Sequence, residues 1–299
     1  MNRKDFIRSL IALGIMGSIK PIKALNETLK EDGLLMPVLF IGHGSPMNAI
    51  ETNEFTGVWK KLGKEIPQPK AVLCISAHWL TRGTAVTAME SPRTIHDFGG
   101  FPQTLFDVQY PAPGNPTLAK ETQKLITSTD VGLDHDWGLD HGTWSVVKQM
   151  YPGANIPVLQ LSIDYYKSPQ YHYDLSKQLY ELRKKGVLII GSGNMVHNLR
   201  AIDPSRGLSA NKDGTYTNYG FDWAIEFNEK LKEYLNSGNH QGIIDYQKLG
   251  RIAKLAHPTP DHYYPLLYTL GVVSNKEEMS LFNDKYMAGS LSMTSVKFG

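Results

Sequence analysis

From Leu35 onward, short apolar runs alternate with amphipathic stretches. Residues 36–41, 71–76, 85–89, 156–162, 187–191 and 291–296 read as strands. Each run is short, rich in Val, Ile and Leu, and bounded by Gly, Pro, Ser or Asn. Helices are expected over 54–62, 116–127, 143–150, 169–185, 216–237 and 262–270. In the fifth of these, Phe221, Ala224, Ile225, Phe227, Leu231 and Tyr234 recur at helical spacing. Strands separated by helices predict an α/β fold with a central mixed or mostly parallel sheet flanked by helices. No tandem repeat, low-complexity block or Gly/Ser/Pro-rich linker divides the pattern, so one domain over 34–299 is expected behind a distinct leader over 1–33. The irregular stretch 93–116, rich in Gly, Pro and aromatic residues, is long for a loop in a compact domain and is expected to wall a functional site.

The leader begins with the basic segment Asn2-Arg3-Lys4-Asp5-Phe6-Ile7-Arg8, continues mostly apolar over 9–19, and turns polar over 20–32. This is the outline of a short signal sequence, and Arg3-Lys4-Asp5-Phe6-Ile7 loosely resembles a twin-arginine export motif with lysine as its second basic residue. The apolar part is too short to span a bilayer, so no membrane span is expected. Two locations fit: the cytoplasm, or the periplasm by export through the twin-arginine-like leader.

The composition is that of a soluble globular chain: 299 residues, 41% hydrophobic and 20% charged. A net charge of +2 without a dense basic stripe argues against nucleic acid as a partner. Lysines at 184, 185, 230 and 232 read as solvated helix faces. Cys74 is the only cysteine, inside the apolar run Ala71-Val72-Leu73-Cys74-Ile75, which excludes an intrachain disulfide and a thiolate metal cluster. Imidazole and carboxylate remain as ligands, which favours iron(II), zinc or manganese. Nothing in the chain sets an oligomeric state.

Four histidines in four turn-like segments carry the candidate chemistry. They are His43 in Gly42-His43-Gly44-Ser45-Pro46, His78 in Ser76-Ala77-His78-Trp79, His197 in Gly193-Asn194-Met195-Val196-His197-Asn198, and His262 in Pro258-Thr259-Pro260-Asp261-His262. The first three follow apolar runs and are expected at the carboxyl ends of strands, the edge where open α/β sheets bind ligands. Several imidazoles at one edge point to a bound transition metal. His141, in Asp140-His141-Gly142-Thr143-Trp144, opens a predicted helix whose dipole favours its neutral form, fit for a base or a hydrogen-bond donor. Either Asp140 or Thr143 could cap that helix, and either Ser45 or Asn48 the turn after His43. Between His257 and His262, periodicity does not choose. His135, His172 and His240 are expected at the surface without a role, and His96 is a weaker pocket candidate. The dinucleotide fingerprint, the Walker loop, the Gly-x-Ser-x-Gly elbow and the His-Glu-x-x-His signature are all absent.

Together these motifs closely resemble the class III extradiol ring-cleaving dioxygenases, in particular those of the 4,5-DOPA dioxygenase type. To the segments above the resemblance adds Ile95-His96-Asp97-Phe98-Gly99-Gly100-Phe101-Pro102, Tyr110-Pro111-Ala112-Pro113-Gly114 and Gly289-Ser290-Leu291-Ser292-Met293, and it runs from about Met36 to the carboxyl terminus. It implies metal ligands at His43, His78 and His262, with His197 at the metal or directly beside it, and it makes His141 a histidine that contacts substrate. Catalytic roles then fall to His141 and His197, and His262 rather than His257 fits the ligand position. The implied reaction opens a DOPA-like catechol beside its diol with O2 at non-haem Fe(II). The better-known class III enzymes use two histidines and a glutamate, whereas this subgroup has a third histidine. Such a neutral site suits Zn(II) nearly as well. Trp79, Phe98, Phe101 and Tyr264 are the expected ring-packing walls. Two other readings stand beside the dioxygenase: a zinc-dependent hydrolase, and a non-enzymatic metal- or protein-binding module like the Memo-type proteins of similar fold.

Overall fold

The computed structural model describes residues 29–31, 33–274 and 277–299; the leader expected over 1–33 lies almost wholly outside them. No helix among the described residues is long and apolar enough to cross a membrane.

Six strands form the main sheet: β1 (Val38–Gly42), β2 (Ala71–Ser76), β3 (Val158–Gln160), β4 (Val187–Gly193), β5 (Met279–Phe282) and β6 (Ser295–Phe298), in the order β3-β2-β4-β1-β6-β5. The first four run parallel, and β6 and β5 close one side antiparallel. The expected mixed, mostly parallel sheet is what forms. Its inner strands are apolar on both faces because both faces are covered. Val38, Phe40, Leu73, Ile75 and Ile189 enter one core. Leu39, Ile41, Val72, Cys74 and Ile190 enter the other. On the first face lie α2 (Pro116–Leu125), α4 (Pro169–Lys177), α5 (Asp222–Asn236) and α6 (Tyr264–Gly271); on the second lie α1 (Glu54–Glu65) and α3 (His141–Met150).

Three expected elements differ in form. The run 85–89 becomes Thr84–Thr87, paired in parallel with Val131–Asp134 outside the main sheet. The run 291–296 breaks into Leu291–Ser292 and β6, because side chains there bond the local backbone: Ser292 Oγ accepts from Thr294 N–H at 3.2 Å and Ser295 Oγ donates to Met293 O at 2.8 Å. The helix expected over 169–185 ends at Lys177 and resumes over Tyr180–Lys184, while Gln178 Oε1 accepts from Thr127 N–H at 2.7 Å.

Fully buried Arg183 ties the sheet's lower edge together. It donates to Met36 O at 2.8 Å and Val272 O at 2.6 Å and pairs with Glu277. Breaking such a pair strands its partners, so Arg183→Met is expected to lower unfolding stability by about 3 kcal/mol, read as a lower midpoint in urea.

Candidate metal centre

Strand register decides where the histidines meet. Gly42 of β1 lies opposite Gly193 of β4, and Ser76 of β2 opposite Ser192, so three parallel strands end level. His43, His78 and His197 follow those ends by one, two and four residues. Gly44 takes the left-handed conformation, φ +61°, that turns the chain after His43. Asn48 Nδ2 then holds His43 O at 2.9 Å, while Ser45 caps the turn Pro46–Ala49, so the two candidate caps divide the work. His262 arrives from a different layer, just before α6, with its carbonyl accepting from Asn194 N–H at 3.0 Å. Only a residue without Cβ admits that approach: a methyl on Gly193 would sit 2.2 Å from His262 O. Gly193→Ala is therefore expected to cost about 1–3 kcal/mol of stability and to weaken metal binding by displacing His262, read by thermal melts and by titration with metal.

The rings of His43, His78 and His262 form a near-equilateral triangle, with centroids 5.1, 5.2 and 5.0 Å apart. The Nε2 atoms of His43 and His78 are 3.1 Å apart. The hydrogen-bond network sets the tautomers. Ser192 Oγ gives its one proton to Gly142 O at 2.6 Å, so it accepts from His43 Nδ1 at 3.0 Å. His78 Nδ1 lies 3.3 Å from Asp97 Oδ2, and His262 Nδ1 bonds Asp261 Oδ2. With each Nδ1 carrying a proton, each Nε2 is a bare lone pair. Burial holds His43 and His262 neutral, well below the ordinary histidine range, and takes His78 down to about 3. Two bare lone pairs at 3.1 Å repel unless a cation lies between them. Nitrogens bound at about 2.1 Å to one ion sit roughly 3.0–3.4 Å apart, as the His43–His78 pair does, and His262 offers a third ligand nitrogen within 4.8 Å of both.

Around this triad stand further groups, of which Asp97 had no role assigned from the sequence. Asp97 accepts from His141 N–H at 2.8 Å with Oδ1, and its Oδ2 lies 3.0 Å from His141 Nδ1. Burial alone would raise the Asp97 carboxyl, but His141 and then His78 outweigh it and hold it below the usual range. Buried Asp140 caps α3 through Thr143 N–H, and accepts from Ser76 Oγ at 2.7 Å and Gln160 Nε2 at 2.6 Å, fixing the helix against β2 and β3. Thus Asp140 is the cap, and His141 is free to face the triad, 3.9 Å from His78 between centroids. His197 stacks flat on His262, centroids 3.4 Å apart and planes within 5°. His197 thus packs against one corner of the triad, and His197, Asp261 and His262 each offer a ligand atom within 4.8 Å of the others.

Residues 37–298 match the family described as the catalytic LigB subunit of aromatic ring-opening dioxygenase. The chain belongs to that family. It is 46% identical over 270 residues to a protein of Escherichia coli K12 named 4,5-DOPA dioxygenase extradiol, spanning 88% of this chain and 95% of that one. A protein of the same name from Beta vulgaris is 38% identical, over 87% of this chain and 95% of its own length. The crystal structure of an uncharacterized Escherichia coli K12 protein, 40% identical, superposes with a TM-score of 0.75, covering 88% of this chain and all of that one. This LigB-family chain is accordingly an extradiol aromatic ring-opening dioxygenase, a metal-dependent enzyme that acts on a small molecule with O2. Neither the hydrolase nor the Memo-like reading gains support from these relatives.

The LigB-family site opens into a cavity of about 560 Å³ whose walls include Phe98 and Phe101 from the long loop. That loop was expected to wall the site, and it does. Trp79 and Tyr264, expected beside them, face elsewhere: Trp79 stacks on Trp137 at 5.8 Å, and Tyr264 packs at a tilt on His172 at 4.3 Å. His172 itself is fully buried rather than at the surface, bonded to Tyr268 Oη at 3.0 Å. His257 is also buried, with Nε2 at 2.8 Å from Met195 O, which leaves His262 as the histidine of that pair at the site. His96 bonds Val108 O at 2.9 Å and packs behind Phe98.

Proposed function

We propose that the enzyme opens the ring of a DOPA-like catechol beside its two hydroxyls, with Fe(II) held by His43, His78 and His262 and with His141 and His197 handling protons. The observation that carries this reading is the triangle of imidazoles, each with its Nδ1 beside a hydroxyl or carboxylate, which leaves Nε2 as the free donor. The name shared by the relatives supports the substrate class. When bound, Fe(II) supplies the redox centre for O2 and a Lewis acid for the diol oxygens.

The chain's own residues supply the rest. His141 offers its Nε2 to a catechol proton, while Asp97 at its Nδ1 fixes the ring and stabilises the imidazolium that results. His197, beside the triad, is the second group placed to take and return a proton. Its stack on His262 favours this role over the fourth metal ligand that the sequence motif left open. Phe98 meets His141 edge-on at 5.5 Å between centroids, giving a flat substrate ring an apolar wall.

An all-imidazole set also binds zinc, which has no redox chemistry. The test is anaerobic loading with Fe(II) or Zn(II), followed by a panel of catechols and admission of O2. A yellow ring-opened product and oxygen uptake with iron but not zinc support the proposal. Metal-dependent ester cleavage without oxygen uptake would replace it with the hydrolase reading.

A further inference from the structure

The cavity that holds the histidines carries a carboxylate with no cation facing it. Glu51 lies on the wall, together with Tyr216, whose hydroxyl donates to Glu51 Oε2 at 3.4 Å. Asn53 Nδ2 reaches the same oxygen at 3.5 Å. Among the described residues, Oε1 has no hydrogen-bond partner and Glu51 is in no ion pair. The neighbouring charges are engaged elsewhere: Glu54 pairs with Lys285 at 2.6 Å, Lys148 donates to Ala49 O at 3.0 Å, and Lys60 to Thr52 Oγ1 at 3.3 Å. Asp97, the other carboxylate on the wall, is taken by His78 and His141. No lysine or arginine lines the cavity among the described residues, and much of the remaining wall is apolar, including Met47, Ile202 and Met287.

A charged group entering such a cavity loses hydration, and it is tolerated only where a partner of opposite sign receives it. A substrate whose only tail charge is a carboxylate finds no such partner here, whereas a DOPA-like amino acid brings an ammonium beside its carboxylate. An alkylammonium finds Glu51, whose Oε2 is held by Tyr216 while Oε1 stays free to accept. We infer that Glu51 receives the ammonium group of the substrate side chain, so that the enzyme selects catechols with a cationic tail over those with an acidic one. This rests on the proposed function, which puts the diol end at the imidazoles.

Glu51→Gln removes the charge and keeps the size and the acceptor for Tyr216. The iron-loaded wild type and variant are compared on dopamine, 3,4-dihydroxyphenylpropionate and 4-methylcatechol. The wild type is expected to show a higher kcat/KM for dopamine than for the acid. In the variant, the dopamine to 4-methylcatechol ratio of kcat/KM should fall about tenfold, the size of one charge-assisted hydrogen bond. An unchanged ratio, or a wild type that favours the acid, overturns the inference while leaving ring opening of 4-methylcatechol intact. Should no catechol be opened, the functional reading fails separately, and calorimetric binding of tyramine decides: about tenfold weaker in Glu51→Gln upholds the role of Glu51, and equal affinity overturns it.

Discussion

His43→Ala, His78→Ala and His262→Ala are each expected to leave the protein folded and unable to retain iron, with ring-opening activity lost. The reason lies in the donor set. Each ring contributes one inward lone pair, and the triangle has sides of only 5.0–5.2 Å between centroids, so no other donor replaces a missing corner without moving a strand end. Groups that merely orient a metal ligand cost about 10–100-fold in affinity when removed, and a ligand itself costs more. Metal analysis after Fe(II) loading and desalting, with circular dichroism as the fold control, reads the effect. His43 is the most informative of the three, because its Nδ1 is held by Ser192 in the interior of the sheet edge. Retention of stoichiometric iron by His43→Ala would remove it from the ligand set.

His141→Ala is expected to give the opposite split: iron retained, turnover lowered by about 100- to 10,000-fold, the usual worth of a positioned acid–base group. His141 shares Asp97 with His78 but is not one of the three triangle corners, so its loss should leave the triad standing. The same iron analysis, paired with steady-state oxygen uptake, checks both halves. If His141→Ala also emptied the site, the division between ligands and proton-handling groups would be wrong.

The sheet was legible because its inner strands are continuous apolar runs, and His43, His78 and His197 were legible because they follow such runs closely, two of them in glycine-bearing turns. The family resemblance implied that the histidines converge, but the geometry that brings them together was not legible. It depends on register between β1, β2 and β4, and on Gly193 admitting the His262 backbone from another layer, neither of which leaves a periodic trace. Asp97, Asp140 and Ser192 act through hydrogen bonds between segments as many as 64 residues apart or, for Ser192 and His43, 149 apart. Asp97 sits in a motif that was noticed for its neighbours; its position before Phe98 and a Gly-Gly turn was the available signal. Burial of His172 leaves no local trace because its partner Tyr268 comes from α6, almost a hundred residues later. Trp79 and Tyr264 failed as pocket walls for a related reason: an aromatic residue next to a site histidine can point into either core.

His43, His78 and His262 are expected to hold one metal through their Nε2 atoms. X-ray absorption at the iron edge, on anaerobically loaded wild type and His43→Ala, tests it directly. Three imidazole nitrogens at about 2.1 Å in the wild type, and loss of bound iron in the variant, are the predicted result. An iron shell dominated by carboxylate oxygen, or an identical spectrum from His43→Ala, would contradict it.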